Sequence, residues 1–518
     1  MKKPTLQISI FAIFFSLSAF AQDLNVAAGG QMYISPTAFV HASSNVGIDS
    51  NGELIMDSVS DDFSDLFVVG SSTGTAEYRH FTGSSATRDL VSPPVSGQTF
   101  ASFATANTGK IATGTITTSN LMYGPFDTAN GVYVEYAAAD VTPLVAAKGY
   151  RAGSIGGQTL AYKGVVSTSD VGITIVHAPG VYVAGTYKES NLVGNPFTTH
   201  INAGAIVTAL GAASAVIDPT YAAIYGYDGA ATASASTWKV INSLTSTELI
   251  TPGQGFIIIS TAAGGTFNFP KSARTVSTSA QDNFIPGSQV NSRSSFKLKL
   301  TKDANVYDTS LYFIDAYGSR GLDVTFDAGS LGSDIGTHLV ENSQGYNLAI
   351  QALSTSDLTA TDYAIPLEVN VAAGQEATIS IDDLDVPSGT RFYLDDRVRN
   401  VQTLLTSNDY TFIPSSDLSG IGRFYLGTTS STFSSPYTAL NSVEIFSSAT
   451  TKKLIVQGQL RHDSTLILYD IRGRVIQTHQ LEASQTKHEI DVSNVSSGVY
   501  VANLNNKHQS KTTKLVIK

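Results

Sequence analysis

Short stretches in which apolar and polar residues alternate run along most of the chain, and stretches with a helical period are nearly absent. Phe296-Lys297-Leu298-Lys299-Leu300, Tyr346-Asn347-Leu348-Ala349-Ile350 and Leu367-Glu368-Val369-Asn370-Val371 alternate strictly, which predicts strands with one wet face. Continuous apolar runs such as Leu311-Tyr312-Phe313-Ile314 and Phe424-Tyr425-Leu426 predict strands covered on both faces. The pattern is that of an all-β protein, with a β-sandwich over residues 296–427. Ala203 to Ala213 and a capped turn at Ser356-Asp357-Leu358 offer helix, both short.

Two longer periodicities organise the first half. Gly30-Gln31-Met32-Tyr33, Gly52-Glu53-Leu54-Ile55 and Gly74-Thr75-Ala76-Glu77 recur every 22 residues within region 22–85. As β-solenoid rungs they would stack Met32, Leu54 and Ala76; a meander of hairpins fits the spacing equally. Over residues 86–279, Leu90-Val91-Ser92-Pro93-Pro94-Val95 is echoed by Leu192-Val193-Gly194-Asn195-Pro196-Phe197. Lys148-Gly149-Tyr150 is echoed by Gln254-Gly255-Phe256, and Gly157 to Tyr162 by Gly264 to Phe269. The offsets are 102, 106 and 107 residues, which predicts a duplicated β unit. Residues 280–295 are polar and read as a linker, 428–439 as a Ser/Thr-rich joint, and 440–518 as a last β module.

Lys2 and Lys3, the apolar run Ile8 to Leu17 and Ala19-Phe20-Ala21 form the three parts of a signal peptide over residues 1–21. The 518 residues contain no cysteine, which removes disulfides, thiol nucleophiles and thiolate metal sites. A net charge of −11 opposes nucleic acid as a partner.

Candidate chemistry is sparse. Gly70-Ser71-Ser72-Thr73-Gly74 matches a nucleophile elbow, but the residues after it alternate like a strand where a helix is needed, so a Ser/Gly turn is the reading. The nine histidines form no HExxH or HxH pair, and most read as surface or turn residues. Asp61, Asp62 and Asp65, then Asp382, Asp383 and Asp385, then Asp395 and Asp396 form acidic clusters. Each reads as a solvated turn, with calcium, best at the middle cluster, as the alternative; no cofactor is expected. Trp238, near Tyr225 and Tyr227, suits either a sugar-stacking platform or a core anchor.

The tail carries the most specific signal. From residue 440 it has ten Lys or Arg against six Asp or Glu, +4, leaving −15 for the rest. Seven short strands are readable: Val443 to Phe446, Lys453 to Gln457, Thr465 to Tyr469, Val475 to Leu481, His488 to Val492, Val499 to Leu504 and Thr513 to Ile517. They predict an immunoglobulin-like sandwich. Leu466-Ile467-Leu468-Tyr469-Asp470, Gly473-Arg474-Val475, Ile490-Asp491-Val492-Ser493, Ser497-Gly498-Val499-Tyr500-Val501 and Lys514-Leu515-Val516-Ile517-Lys518 resemble the type A C-terminal sorting domain of Bacteroidetes type IX secretion cargo. The resemblance implies export to the periplasm, recognition by the outer-membrane translocon and sorting machinery, tail removal, and release or attachment to surface lipopolysaccharide. Its motif residues here are Asp470, Gly473, Arg474, Gly498, Tyr500, Lys514 and Lys518.

The body resembles uncharacterised exported flavobacterial β modules through Leu90 to Gly97, Asn191 to Phe197, Pro252 to Phe256, Phe392-Tyr393-Leu394-Asp395-Asp396 and Arg423-Phe424-Tyr425-Leu426. It departs from them at Arg88-Asp89, where similar chains often place a tryptophan. Asp57-Ser58-Val59, Asp127-Thr128-Ala129 and Asp463-Ser464-Thr465 match the short O-glycosylation pattern of these bacteria. The expectation is a non-enzymatic protein, secreted or on the outer cell surface, engaged in adhesion or in envelope and biofilm matrix contacts. The alternative is an exported carbohydrate-binding protein, or a hydrolase using two carboxylates distant in sequence.

Overall fold

The computed structural model describes residues 5–8, 19–178, 189–227, 238–245, 248–277, 294–303, 305–341, 347–360, 363–428, 443–448, 452–458, 460, 463–482, 487–505 and 510–517. It divides into two compact units, one over Met1–Thr232 and Thr237–Val290, the other over Ala233–Ser236 and Asn291–Lys518. Strands dominate both.

The 22-residue repeat is a parallel β-solenoid. Gln31–Ile34 pairs with Glu53–Met56, which pairs with Ala76–Thr82, and the register puts Met32 beside Leu54 and Leu54 beside Ala76. Parallel neighbours exclude the hairpin meander, since a hairpin pairs its strands antiparallel. Two further walls stack the same way: Asp23–Val26 with Val46–Ile48 and Ser72–Thr73, and Phe39–Ala42 with Asp65–Val68. Inside, Leu24, Ile34, Val46, Leu54, Met56, Leu66 and Val68 are buried in one core. Burying such a side chain contributes about 1.5–3 kcal/mol, which offsets the cost of ordering short strands. One corner carries a polar ladder, in which Asp23 accepts from the Asn45 amide at 3.1 Å and Asn45 Oδ1 accepts from the Ser71 amide at 2.9 Å. In the segment read as a signal peptide, Thr5–Ile8 lies parallel to Asp23–Val26 and Ala19–Ala21 to Phe39–Ala42. Residues 1–4 and 9–18 of that segment are outside the described residues.

The echo over residues 86–279 is a structural duplication. Asp89–Val91 pairs antiparallel with Tyr150–Ala152, setting Val91 opposite Tyr150. At the equivalent place Ser190–Gly194 pairs with Gly255–Ile259, setting Val193 opposite Phe256. The copies also bridge reciprocally, Val91 with Gln254 and Val193 with Lys148. Glycine is required at that crossing in both copies: a Cβ at Gly255 would lie 2.6 Å from the Leu90 carbonyl carbon, and one at Gly149 would lie 2.5 Å from Leu192 Cγ.

Among the described residues, each copy has one α-helix. The predicted Ala-rich helix is α2, Ala203–Ala212, capped by Asn202; its equivalent α1, Phe100–Ala106, is capped by Thr99. The first amide of each donates to an equivalent carbonyl, Phe100 to Thr142 and Ala203 to Glu248. The expected turn at Ser356-Asp357-Leu358 is a 3-10 helix, Thr355–Leu358, capped by Ser354.

In the second unit, the sandwich over 296–427 is one sheet folded over on itself. Its strand order is Val401–Leu404, Tyr393–Asp396, Phe424–Gly427, Ile365–Val369, Ile335–Thr337, Leu348–Leu353, Asn305–Phe313, Ser294–Lys302, Ala377–Asp385 and Tyr410–Phe412. Strands far apart in that order meet through their rings: Phe296 and Phe392 at 4.3 Å, Phe412 and Phe424 at 4.9 Å. Asp396 is buried here and accepts from the Arg423 guanidinium at 2.7 Å and the Tyr410 hydroxyl at 2.7 Å. Of the joint at 428–439, all but Thr428 is outside the described residues.

Among the described residues, the tail has seven strands in two sheets. Glu444–Ser448, Lys453–Gln457 and Lys487–Asp491 form one; Val475–Leu481, Ser464–Asp470, Gly498–Asn505 and Ser510–Ile517 form the other. Leu454, Val456, Leu466, Leu468, Ala502, Leu504 and Leu515 fill the core between them.

Candidate functional site: the sorting face of the tail

Six of the seven motif residues fall among the described residues; Lys518 does not. Asp470 ends its strand and closes the following turn. Its Oδ1 accepts from the amides of Arg472 and Arg474, each at 2.9 Å, and its Oδ2 from Arg474 Nε at 2.7 Å. The Arg474 amide is the leading cause that holds the Asp470 carboxyl below the usual carboxylate range. Gly473 occupies the turn at φ +79°, a left-handed conformation that side chains resist.

Gly498 opens the next strand beside the Tyr500 ring. The buried Tyr500 donates its hydroxyl to the Ser496 carbonyl at 2.7 Å, the back-bond of a tyrosine corner. Lys514, on the last strand, is exposed and lies opposite Val501.

The pairing register brings these distant residues together. Asp470 faces Tyr500, and Val499 faces Val516. Asp470, Gly498, Tyr500 and Lys514, with Ile471 and Val499, line one open cleft of about 500 Å³. Ile471 is 76% exposed, and Val475, Val499 and Val516 are also exposed. An Asp–Arg turn, a lysine and uncovered apolar side chains therefore share one end of the sheet.

The other candidates resolve differently. Ser72 and Thr73 form a solenoid strand, so Gly70 to Gly74 is a rung corner with no helix behind it. The middle acidic cluster lies on the sandwich strand Ala377–Asp385, where Asp383 pairs with Lys297 at 2.7 Å and Asp382 with Lys299. Asp395 pairs with Arg397 at 3.1 Å and Asp396 with Arg423. In the first cluster Asp65 turns inward to His200. Among the described residues no three His, Asp or Glu side chains are grouped as a metal ion requires.

Two readings are corrected. Of the histidines taken for surface or turn residues, His80, His200, His338 and His488 are buried. A neutral imidazole tolerates burial, and an adjacent carboxylate can anchor it: His338 Nε2 lies 2.9 Å from Glu368 and His200 Nδ1 2.9 Å from Asp65. Asp65, His200 and the Ser277 amide, which donates to Asp65 at 2.8 Å, join the solenoid to the second β copy. No spacing in the sequence marks that contact, because its members lie 135 and 212 residues apart. The second correction concerns the glycosylation pattern. Ser58, Thr128 and Ser464 are all buried, Ser58 donating to Arg79 and Thr128 to Ser190, so the folded chain does not present these hydroxyls.

Comparison with known proteins places both parts of the chain. Residues 444–518 match the secretion system C-terminal sorting domain, and the chain is type IX secretion cargo, exported to the surface or secreted by that machinery. Residues 6–427 match the family described as a domain of unknown function, DUF8693, and the chain belongs to that family. No curated protein matches it. Among solved structures, a chain titled "Biofilm associated protein - BSP domain" aligns at 13% identity over 29% of this chain and 29% of its own length, with a TM-score of 0.14; at that score it carries no argument about fold or function. Among the described residues, no helix is long and apolar enough to cross a membrane.

Proposed function

We propose that the tail delivers a non-enzymatic cargo whose role at the cell surface or outside the cell is adhesion, through contacts with the envelope or biofilm matrix. The observation that carries the reading is the use the body makes of its polar groups. Asp65 and Asp396 are buried and tied to neighbouring strands, Glu135 is buried and accepts from the amides of the bend at Thr115, Ile116 and Thr117, and Asp382 and Asp383 are paired with lysines across the sheet. Groups used this way hold sheets together. The experiment is a glycan and matrix array probed with the purified protein, alongside an assay for polysaccharide cleavage. Binding without turnover is expected; cleavage would reverse the reading.

A second reading is a carbohydrate-binding protein. It is favoured by Trp238, which is half-buried on the strand Trp238–Ile241 with its ring 5.4 Å from Tyr227. Aromatic faces at a partly open edge are the surfaces on which sugar rings stack.

A further inference from the structure

Gln457 of the tail packs against the sandwich at Gly420. A Cβ on Gly420 would stand 3.2 Å from Gln457 Nε2 and 3.5 Å from Gln457 Cγ, so the glutamine side chain lies directly on bare backbone. Gly420 also holds φ +85°, a conformation that residues with a side chain resist. The sandwich and the tail bury their apolar side chains in two separate cores, and this contact between them is made by polar groups.

Gly420 is fixed in turn. Its amide donates to Asn370 Oδ1 at 3.3 Å, and its carbonyl accepts from the Val369 amide at 3.4 Å. Asn370 Nδ2 donates to Glu368 Oε1 at 3.3 Å, and Glu368 Oε2 lies 2.9 Å from His338 Nε2. On the tail side Gln457 pairs across its sheet with Glu444, which opens the strand Glu444–Ser448. Lys511 ties down the same end by donating to the Val443 carbonyl at 2.5 Å. A continuous run of contacts therefore leads from His338 in the sandwich to Glu444 in the tail. Glu444 is half-buried, and the groups facing it are His338 and Glu368 of the sandwich and Lys511 of the tail. Burial pushes its carboxyl up to about 7, with Glu368 adding to the push and His338 and Lys511 opposing it.

The contact sits at a particular end of the tail. Lys511 lies opposite Leu504, and Gly498 begins the same strand at its other end. At about 3.3 Å per residue those two ends are roughly 20 Å apart. The cleft lined by Asp470, Gly498, Val499 and Tyr500 is therefore at the end away from Gly420.

We propose that Gly420, Asn370, Glu368 and His338 form a binding seat for the tail, which grips it by Gln457 and Glu444 and leaves its sorting cleft clear of the sandwich. The tail is then a bound ligand of the body as well as a tethered one, and a chain severed in the joint stays together. Glu444 tunes the hold. Its seated form favours the proton, so its contribution is full below the ordinary carboxyl value of 4.5 and is lost as pH rises through about 7.

The test uses the full chain with a specific protease site inserted among residues 429–439, cut to completion and followed by gel filtration and serial dilution. Co-elution of the two pieces is expected at pH about 5.5, with a dissociation constant at least roughly tenfold weaker at pH about 8. Glu444→Gln should abolish that difference. Gln457→Ala should weaken the hold at least about fivefold at both pH values, and Gly420→Ala, on the other side of the contact, should do likewise. Thermal melts of the pieces check folding, and if one of these two variants misfolds the other supplies the comparison. Separation of the pieces at the lower pH, or a hold indifferent to both substitutions, overturns the seat. Equal constants at the two pH values in the unaltered chain overturn the part assigned to Glu444.

Discussion

His80 shows how a single residue sets the acid limit of the first unit. Its ring is fully buried, 5.3 Å from Phe63, and so close to Gly253 that a Cβ there would stand 2.9 Å from it. Burial lowers its pKa to about 4 from the ordinary 6.5. The unfolded chain thus binds the proton more readily than the folded one between those values. The folded state keeps its full advantage above pH 6.5 and loses it as pH falls toward 4, by about 3 kcal/mol. Chemical denaturation between pH 7 and 4 should show that slope at the first unit's transition, and His80→Phe should flatten it. Asp396 is expected to behave as a buried ion pair does. Removing one partner, as in Arg423→Met, leaves a carboxylate enclosed without its counterion and should cost about 3–5 kcal/mol, read as a lowered denaturant midpoint of the second unit. In the tail, Tyr500→Phe removes the bond to Ser496 and little else. A loss of about 1 kcal/mol is expected, together with slower appearance of the protein outside the cell.

At the scale of elements, the parts legible in the sequence are those whose physics is local. The 22-residue spacing offered Met32, Leu54 and Ala76 as a stack, because each solenoid rung repeats the same turn and strand, but fitted a hairpin meander equally; the parallel register decides for the stack. The tail strands were readable because one face is buried, which forces alternation. The helix α1 was missed: seven residues complete too few turns to display a helical period, and only its cap and its place opposite α2 reveal it. The sandwich was recognised from alternation, yet that its layers form one continuous sheet is decided by pairing partners, and alternation is silent on those. The His200–Asp65 pair and the packing of Arg151 over Tyr133 were invisible for the same reason, being made by contacts between elements. The solenoid stack carries its own prediction. Leu54→Ala opens a cavity between two rungs and should cost about 2–5 kcal/mol, lowering the thermal midpoint of the first unit.

For the whole molecule, body and tail divide the work. The buried side chains of the sandwich and of the tail form two separate cores, so deletion of residues 443–518 is expected to leave the body's strands folded. Fractionation of cells making that truncated chain should find it in the periplasm; its appearance in the medium at the normal rate would show that export does not need the tail. The described motif residues of the tail lie up to 44 positions apart, from Asp470 to Lys514, and meet only when the strands Ser464–Asp470, Gly498–Asn505 and Ser510–Ile517 are paired. Clipping or misfolding of that sheet would scatter these side chains, so an address read from them would be lost together with the fold that assembles it.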